Sequence, residues 1–270
     1  VRQQVSIFVG VPAVMELLLD GAPLPDLASV RAFICGGAVL KKELGERFAA
    51  WSRKPLLDGY GLSETSPVVS FNRPGKAQFG TIGIPIRDVE VAILDPQGQE
   101  LPPGETGEIA VRGPNVMLGY LNQEKATERA FRYGWFHTED VGFFDQEGFL
   151  HLVDRLKDLI ISSGENIYPR EVEQVLLQYP GVAEAAVIGY PDPLRGQSAA
   201  AWVVPEAGTA VDLRALRRYL LDRIAPYKIP KKYFLARELP RTGLGKVRKN
   251  VLQEETLKLL EKNRTAGRAL

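Results

Sequence analysis

The segment from Asp154 to Glu173 constrains the fold of this chain more than any other. It begins with charged residues, continues through the apolar run 159–161 and then reaches the small residues Ser162-Ser163-Gly164. Pro169, which suits the first position of a helix, follows, and apolar residues recur after it at helical spacing. This order of strand, glycine turn and helix predicts a junction at which a new α/β unit begins.

The flanking sequence predicts three parts. Residues 1–75 alternate apolar strands with amphipathic helices, which indicates a parallel sheet. Short strands and turns in residues 76–153 indicate a small barrel or sandwich, and residues 158–270 return to mixed α and β structure. The expected strands are 5–9, 30–35, 89–94, 108–112, 182–190 and 199–204, with a hairpin at 143–150 and helices after Pro12, Leu40, Pro169, Asp212 and Lys249.

The composition narrows the class of protein. A net charge of +1 over 270 residues gives no bulk attraction to nucleic acid or to an acidic membrane. One cysteine and two histidines exclude an intrachain disulfide and argue against a Cys/His zinc site. Cys35 lies in an apolar run, so we expect a buried thiol in a reducing compartment and a cytoplasmic protein. No apolar run is long enough for a spanning helix, so no transmembrane segment is expected.

Three common catalytic or nucleotide motifs are approached but not matched. Residues 61–65 resemble the hydrolase nucleophile elbow, but Thr65 stands where that motif needs glycine. Residues 59–61 lack the third glycine of a dinucleotide fingerprint. Gly245-Lys246 is followed by Val247 instead of the hydroxyl residue of a Walker loop. These patterns therefore do not assign a hydrolase, a dehydrogenase or a P-loop enzyme.

The sequence of residues 155–173 resembles the hinge segment of the adenylate-forming enzymes, with the pattern R-x-K-D-x-I-x-x-x-G-x-N-I-x-P-x-E-V-E. This family includes acyl-CoA synthetases, peptide-synthetase adenylation domains and luciferases. Four more segments resemble family motifs in the expected order: Gly36-Gly37-Ala38, 58–65, 135–140 and 239–248. The resemblance implies an α/β plus β-barrel plus α+β protein with the C-terminal part of the synthetase fold. That part comprises a partial N-terminal α/β subdomain, a small distorted β-barrel and a mobile α+β C-terminal domain.

The resemblance also implies a domain organisation. Residues 1–153 would be a partial N-terminal AMP-binding domain, with the sheet portion in 1–75 and the barrel in 76–153. Residues 154–157 would form a hinge that pivots at Lys157, and residues 158–270 the mobile C-terminal domain. The family's upstream phosphate loop has no counterpart in residues 1–35. We therefore expect a fragment, the second half of a synthetase, that is inactive alone.

A nucleotide site follows from the same resemblance. Tyr60 would stack on adenine, Asp140 would accept both ribose hydroxyls, and Arg155 would reach the ribose or a phosphate. The implied nucleotide-binding residues are Gly36, Gly37, Ala38, Asp58, Gly59, Tyr60, Gly61, Ser63, Asp140 and Arg155. Three positions depart from the family pattern: Ser63 replaces threonine, and Glu139 and Asp154 replace glycine.

The implied chemistry uses ATP, Mg²⁺ and coenzyme A, and leaves AMP as a product. The Ser63 hydroxyl would donate to the α-phosphate, Glu64 would coordinate Mg²⁺, and Lys246 would stabilise the charge that develops during adenylation. After the C-terminal domain rotates, Ser162, Ser163 and Gly164 would line the path of the pantetheine arm.

The resemblance therefore implies an acyl-CoA synthetase. A carboxylic acid would attack the α-phosphate of ATP to give an acyl-adenylate, and coenzyme A would then displace AMP. The wording of residues 61–69 resembles the fatty-acyl branch. Two alternatives stay open: a non-catalytic nucleotide-binding or scaffolding remnant, and an adenylation domain that loads a carrier protein. The sequence leaves a homodimer open as well.

Overall fold

The computed structural model describes residues 4–21, 27–37, 40–242 and 245–266. The chain divides into two compact units, Val1–Leu152 and Val153–Leu270. Ala38, one of the expected nucleotide-binding residues, lies outside the described residues. None of the described helices combines the length and the apolarity that crossing a bilayer requires.

The first unit begins with a five-stranded sheet. Its elements are β1 (Ile7–Gly10), α1 (Pro12–Asp20), β2 (Ala32–Cys35), α2 (Lys42–Ser52), β3 (Leu56–Tyr60), β4 (Ser70–Phe71) and β5 (Ile84–Pro85). The strands lie in sequence order; β1, β2 and β3 are parallel, whereas β4 and β5 join antiparallel. The parallel sheet predicted for residues 1–75 is present, and its antiparallel extension reaches Pro85.

Alternation along the strands places the core of this sheet. In β2, Phe33 and Cys35 are buried, whereas the residues between and before them are only half-buried. Phe48 of α2 packs its ring edge-on against Phe33, and Met15 of α1 joins the same cluster. Both helices therefore cover one face of the sheet, as right-handed crossovers between parallel strands require.

The second half of the first unit is an open antiparallel sheet. It contains β6 (Glu90–Leu94), β7 (Gly107–Arg112), α3 (Glu124–Ala130), β8 (Phe131–Arg132), β9 (Trp135–Phe144) and β10 (Leu150–Arg155). The strand order is β10-β9-β7-β6, and β8 pairs with β9. The barrel predicted for residues 76–153 is therefore a half-barrel. Backbone bonds from Ile82 to Leu150 and from Leu150 to Gly83, both 2.8 Å, connect it to the segment that enters β5.

The second unit is built on another five-stranded sheet. After a short 3₁₀ turn at Leu156–Asp158 come β11 (Ile160–Ser162), β12 (Glu165–Ile167), α4 (Pro169–Leu177), β13 (Val182–Asp192), β14 (Gly196–Pro205), α5 (Leu213–Leu221), β15 (Lys232–Leu235) and α6 (Lys249–Ala266). The order is β12-β11-β14-β13, with β15 parallel to β14. The helix predicted after Pro169 is present as α4, whereas the short strand β12 between the turn and this helix was not predicted.

The long strands of this unit bury both faces. In β13, Val187 belongs to the cluster beneath α4 and α5, whereas its neighbours Ala186 and Ile188 belong to a second cluster that includes Leu252 of α6. This is the two-residue period of a strand covered on both sides. The second unit therefore has its own core on each face of its sheet.

Asp154 performs a structural role that the sequence did not indicate. Its buried carboxylate accepts the backbone N–H of Arg155 through Oδ1 and that of Arg170 through Oδ2, both at 2.8 Å. Arg170 lies in the first turn of α4, where N–H groups have no partner within the helix, and the residue preceding the helix supplies no side-chain cap. Asp154 therefore caps α4 from the end of β10 and supplies negative charge at the helix N-terminus.

Two glycines at the end of β3 are required by close packing, not by tight turns. A side chain at Gly59 would contact the ring of Phe71 and lie 2.8 Å from the carbonyl oxygen of Ser70, and one at Gly61 would overlap the carbonyl oxygen of Pro67. Neither glycine has a positive φ. At Gly36, which follows β2, a Cβ atom would meet no atom of the described residues within 4 Å.

We predict that Gly61→Ala lowers the free energy of unfolding by at least about 2 kcal/mol, because the added methyl group cannot be accommodated without moving backbone. The matched change Gly36→Ala should alter it by less than about 0.5 kcal/mol, since the position is open. Urea unfolding of both variants, followed by circular dichroism, measures the difference. Equal urea midpoints for the two variants would show that the backbone at Pro67 moves to accommodate the methyl group, and would contradict the prediction.

Candidate functional site

The expected nucleotide-binding segments of the first unit lie at the carboxyl ends of two adjacent parallel strands. Gly36 and Gly37 directly follow β2, and Asp58 to Tyr60 are the last residues of β3. Cys35 and Asp58 are register partners across these strands, so both segments leave the same edge of the sheet. Ligands of parallel sheets bind at this edge. Gly37 has φ +75°, a conformation that favours glycine.

Tyr60 and Asp140 meet although 80 positions separate them in the sequence. The phenol of Tyr60 donates to Oδ2 of Asp140 at 2.6 Å, and the two residues are only 8% and 2% exposed. A hydrogen bond to a carboxylate is shorter and stronger than one between neutral groups, and burial strengthens it. The structure therefore brings the expected adenine-stacking and ribose-binding residues together.

Asp140 lies in a bulge of β9. The pairing of β7 with β9 runs from Glu108 opposite Val141 to Ala110 opposite His137, so residues 138–140 have no regular partners. Within the bulge, Thr138 Oγ1 donates to the carbonyl of Ile109 at 2.7 Å and accepts the N–H of Asp140 at 3.1 Å. Bulges redirect side chains out of the regular alternation, and this one directs Asp140 towards Tyr60.

Glu64 lies in a 3₁₀ turn, Ser63–Thr65, that the loop between β7 and α3 holds in place. The Tyr120 hydroxyl donates to Oε1 of Glu64 at 3.1 Å, and the Met117 N–H donates to the Glu64 carbonyl at 2.8 Å. Burial, followed by the hydrogen bond to Glu64, raises the pKa of Tyr120. Sequence reasoning missed Tyr120, because no local pattern links residues 56 positions apart.

The surroundings of Glu64 fit a single carboxylate ligand better than a protein-made metal cage. Within the described ranges, no group of three or more histidine, cysteine, aspartate or glutamate side chains could hold a metal ion. Mg²⁺ commonly takes one or two carboxylates and completes its shell with water and phosphate oxygens. Glu64, half-buried and oriented by Tyr120, is compatible with that mode of binding.

Asp58 is a buried acid with an internal partner. Its Oδ1 accepts from the side-chain amide of Asn72 at 2.7 Å, and the residue is 5% exposed. Burial raises the pKa of Asp58 to about 6, although the hydrogen bond from Asn72 lowers it in part. Burial, with a smaller contribution from Asp58, raises the pKa of the Cys35 thiol to about 12. Cys35 is therefore a neutral, buried thiol, as predicted, and not a nucleophile.

The remaining expected site residues lie in the second unit. Arg155 and Lys157 are exposed, at the end of β10 and in the 3₁₀ turn that follows it. Ser162 closes β11, and Ser163 and Gly164 form the two-residue turn to β12 with φ +54° and +84°. Two consecutive positive φ values identify a type I′ hairpin turn. The Ser163 N–H donates to the carbonyl of Arg195 at 2.9 Å, which fixes the hairpin tip against the start of β14.

Lys246 is exposed on a loop whose backbone is held in several places. Its N–H donates to Thr242 Oγ1 at 3.2 Å, and its carbonyl accepts the Thr242 N–H at 2.8 Å. The guanidinium of Arg241 donates to the carbonyl of Gly245 at 2.7 Å and also pairs with Glu184. Lys246 is thus an exposed cation on a constrained backbone.

We predict that Asp58→Asn stabilises the chain at pH 7 by about 1–3 kcal/mol, because the amide keeps the bond to Asn72 and removes a buried charge. Asp58 has a pKa of about 6 when folded, against an ordinary 3.8, so folding takes up a proton between these values. The contribution of Asp58 to wild-type stability should therefore fall as the pH rises through this range, and the advantage of Asp58→Asn should vanish below pH ~4. Urea unfolding from pH 4 to 7.5 measures both effects.

Asp145 supplies a control of opposite sign. Burial acts to raise its pKa, but hydrogen bonds from His151 and from the backbone outweigh this and lower it. The ionised carboxylate of Asp145 therefore stabilises the folded chain at neutral pH, and this contribution is lost on acidification. Asp145→Asn should destabilise at pH 7 and approach the wild type in acid. The same sign for both variants would contradict the assignment of Asp58.

The chain matches the sequence model of the AMP-binding enzyme family over residues 1–121 and that of the AMP-binding enzyme C-terminal domain over residues 171–246. It is 43% identical over 255 residues to a feruloyl-CoA synthase of Amycolatopsis sp., covering 92% of this chain and 51% of that protein. It is 41% identical over 260 residues to the long-chain-fatty-acid–CoA ligase of Bacillus subtilis strain 168, covering 94% of this chain and 46% of that protein.

Solved structures agree with these matches. The o-succinylbenzoate CoA synthetase of Bacillus subtilis, in complex with its acyl-adenylate intermediate, superposes with a TM-score of 0.83 at 39% identity, covering 93% of this chain and 51% of that one. The chain spans about half the length of the curated relatives it matches. The predicted fold, the C-terminal part of the adenylate-forming synthetase fold, is thus confirmed. The chain belongs to the family of AMP-binding, adenylate-forming enzymes.

Proposed function

We propose that this chain is the C-terminal part of an AMP-forming acid–CoA ligase. The observation that carries the proposal is that one chain matches both the AMP-binding domain and the C-terminal domain of a single family, in succession. Relatives named as CoA synthases or ligases, from 36% to 43% identical, support it. A carboxylate oxygen of the acid would attack the α-phosphorus of ATP and release pyrophosphate. The sulfur of coenzyme A would then attack the acyl carbon and release AMP.

In the first unit, we assign nucleotide binding to the edge formed by β2 and β3. The open position at Gly36 supports a flat base lying close to backbone, and Tyr60 would cover its other face. Asp140, ionised, can accept hydrogen bonds from both ribose hydroxyls. The exposed hydroxyl of Ser63 would donate to the α-phosphate. For Arg155, which belongs to the second unit, we retain the contact with the ribose or a phosphate that the family resemblance implies.

The assignment of Mg²⁺ to Glu64 rests on its half-buried carboxylate and on the hydrogen bond from Tyr120 that orients it. When bound, the ion would neutralise charge on the phosphate oxygens during pyrophosphate release. Glu64 would hold the metal ion through a carboxylate oxygen, and Tyr120 would fix the side chain in the conformation needed for that contact.

Lys246 is assigned to the first half-reaction, and the β11–β12 turn to the second. Negative charge accumulates as the carboxylate attacks the α-phosphate, and a positioned cation stabilises it. Hydrogen bonds already hold the backbone around Lys246, so positioning its ammonium group requires ordering of the side chain alone. Pivoting at Lys157 would exchange the two parts, and the absence of a side chain at Gly164 would leave room for the pantetheine arm.

For the acid, we propose a fatty acid. The long-chain-fatty-acid–CoA ligase of Bacillus subtilis is 41% identical to this chain and the feruloyl-CoA synthase 43%, so identity alone does not separate aliphatic from aromatic acids. ATP–pyrophosphate exchange by the complete enzyme with palmitate and with ferulate decides between them. Exchange with ferulate but not with palmitate would show that the substrate is an aromatic acid and not a fatty acid. Transfer of the acyl group to a phosphopantetheinylated carrier protein but not to coenzyme A would favour the carrier-loading alternative. Absence of pyrophosphate exchange with every acid tested would favour the non-catalytic alternative.

We predict that Lys246→Ala in the complete enzyme slows acyl-adenylate formation by roughly 100- to 1,000-fold, the range for losing one positioned electrostatic group. Thioester formation from supplied acyl-adenylate should stay close to the wild-type rate. Lys232→Ala, which removes an exposed lysine from β15 of the same unit, is the matched control and should leave both rates unchanged. Equal damage to the two half-reactions by Lys246→Ala would rule out the assigned role.

We predict that Gly164→Leu abolishes most thioester formation but spares adenylation. Any side chain at φ +84° is strained, so a loss of stability of about 1 kcal/mol is expected regardless of function. Gly208→Leu is a matched control, because Gly208 also has a positive φ of +78°, and a Cβ atom there would meet no described atom within 4 Å. Pyrophosphate exchange, single-turnover thioester formation and the melting temperature should be measured on both variants. The same kinetic losses in Gly164→Leu and Gly208→Leu would show that Gly164 is needed only for its turn and has no specific role in thioester formation.

A further inference from the structure

We propose that Glu108 is a positioning residue for ribose recognition, because its carboxylate fixes the β9 bulge that directs Asp140. The inference rests on the proposed function, in which Asp140 binds the ribose. It concerns Glu108 of β7 and its two partners in β9, His137 and Glu139.

Both carboxylate oxygens of Glu108 are bonded to β9. Oε1 accepts the backbone N–H of Glu139 at 3.1 Å, and Oε2 lies 2.7 Å from Nδ1 of His137. A carboxylate at Glu108 can only accept, so this contact is a hydrogen bond when His137 carries a proton on Nδ1. His137 precedes the bulge and Glu139 is its central residue. Glu108 therefore links the start of the bulge to its middle.

The pair of Glu108 and His137 is shielded from water, whereas the bond to Glu139 lies at an exposed residue. The side chain of Glu108 is 11% exposed and that of His137 3%, whereas the nearby Arg132 is 49% exposed. Nη2 of Arg132 lies 3.5 Å from Oε2 of Glu108 and 3.1 Å from Nδ1 of His137, so this half-exposed guanidinium adds a solvated interaction at the edge of the pair. By contrast, Glu90 of the neighbouring strand β6 pairs with Arg112 at the surface, with 63% of its side chain exposed. Glu108 and Glu90 are thus the same residue type in one sheet, one buried against the bulge and the other solvated.

The bulge needs such support because of Glu139. Its φ is +58°, in the left-handed region that side chains other than glycine rarely adopt. Where the family has glycine, this chain places a residue that resists the required conformation. The hydrogen bond from its N–H to Glu108 opposes that resistance. Without the acceptor, Glu139 would relax towards extended backbone, and Asp140, the next residue, would turn away from Tyr60.

Three substitutions separate this role from general stabilisation. Glu108→Ala removes both acceptors. Glu108→Gln keeps an oxygen that accepts the Glu139 N–H, and its amide N–H can donate to Nδ1 of His137. The imidazole then carries its proton on Nε2, which lies 3.2 Å from the carbonyl oxygen of Arg132. Glu139→Gly, combined with Glu108→Ala, lets the bulge form without the acceptor, since glycine tolerates positive φ.

The experiment measures AMP and 2′,3′-dideoxy-AMP binding to the 270-residue chain by isothermal titration calorimetry. Wild type should prefer AMP by at least about 10-fold. Glu108→Ala should weaken AMP binding by about 10-fold and leave dideoxy-AMP unchanged, because only the ribose contact is lost. Glu108→Gln and Glu108→Ala/Glu139→Gly should regain most of the preference, and the control Glu90→Ala should retain it fully.

Should Glu108→Ala fail to fold, Glu108→Asp replaces it, because the shorter side chain cannot reach both partners. A smaller loss of AMP affinity, with dideoxy-AMP binding unchanged, is expected. Equal weakening of both ligands, or unchanged AMP binding in a folded variant, would overturn the inference and leave the proposed function intact. A wild-type chain that binds neither nucleotide, or both equally, would overturn the proposed nucleotide site and this inference with it.

Discussion

The hydrogen bond between Tyr60 and Asp140 joins the two sheets of the first unit at the candidate site. Tyr60 is supplied by the last position of a parallel strand, and Asp140 by a bulge in an antiparallel one. Neither sheet alone could place both groups, so the site exists only where the half-barrel continues from the α/β sheet. The backbone bonds of Leu150 with Ile82 and Gly83 hold that junction. The geometry of the site is therefore a property of the whole first unit.

Much of the fold could be predicted from the sequence, because its strands and helices carry strong periodicity. The amphipathic helix after Pro169 and the cap Asp212, which accepts the N–H of Arg214 at 2.8 Å, are examples. The missed strand β12 shows the limit. It contains three residues, too few for a repeat to be recognised, and its partner β11 is equally short. The type I′ turn between them needs a positive φ at Ser163 as well as at Gly164, and serine is not a residue type that indicates one.

The candidate site was predictable where a residue belongs to a contiguous motif, and not where it acts across the sheet. Tyr60 and Asp140 were found by their neighbours in the sequence, and their contact was not. Glu108 could not have been found, since its relation to Glu139 depends on a register shift between β7 and β9. The departure at Asp154 is instructive in another way. Its carboxylate caps α4, which gives it a structural role where the resemblance led us to expect glycine.

The glycines of the site show how structure separates two reasons for one residue. Gly61 meets the carbonyl of Pro67, so packing within the chain already requires it and nothing about a ligand follows. Gly36 has neither a positive φ nor a near neighbour among the described residues, so that part of the fold makes no demand for glycine there. Because no contact within the described chain explains the glycine, the missing side chain of Gly36 leaves backbone exposed at the carboxyl edge of the parallel sheet. That surface is what the close approach of a planar base requires, and Gly36 therefore supports nucleotide binding more strongly than Gly61 does.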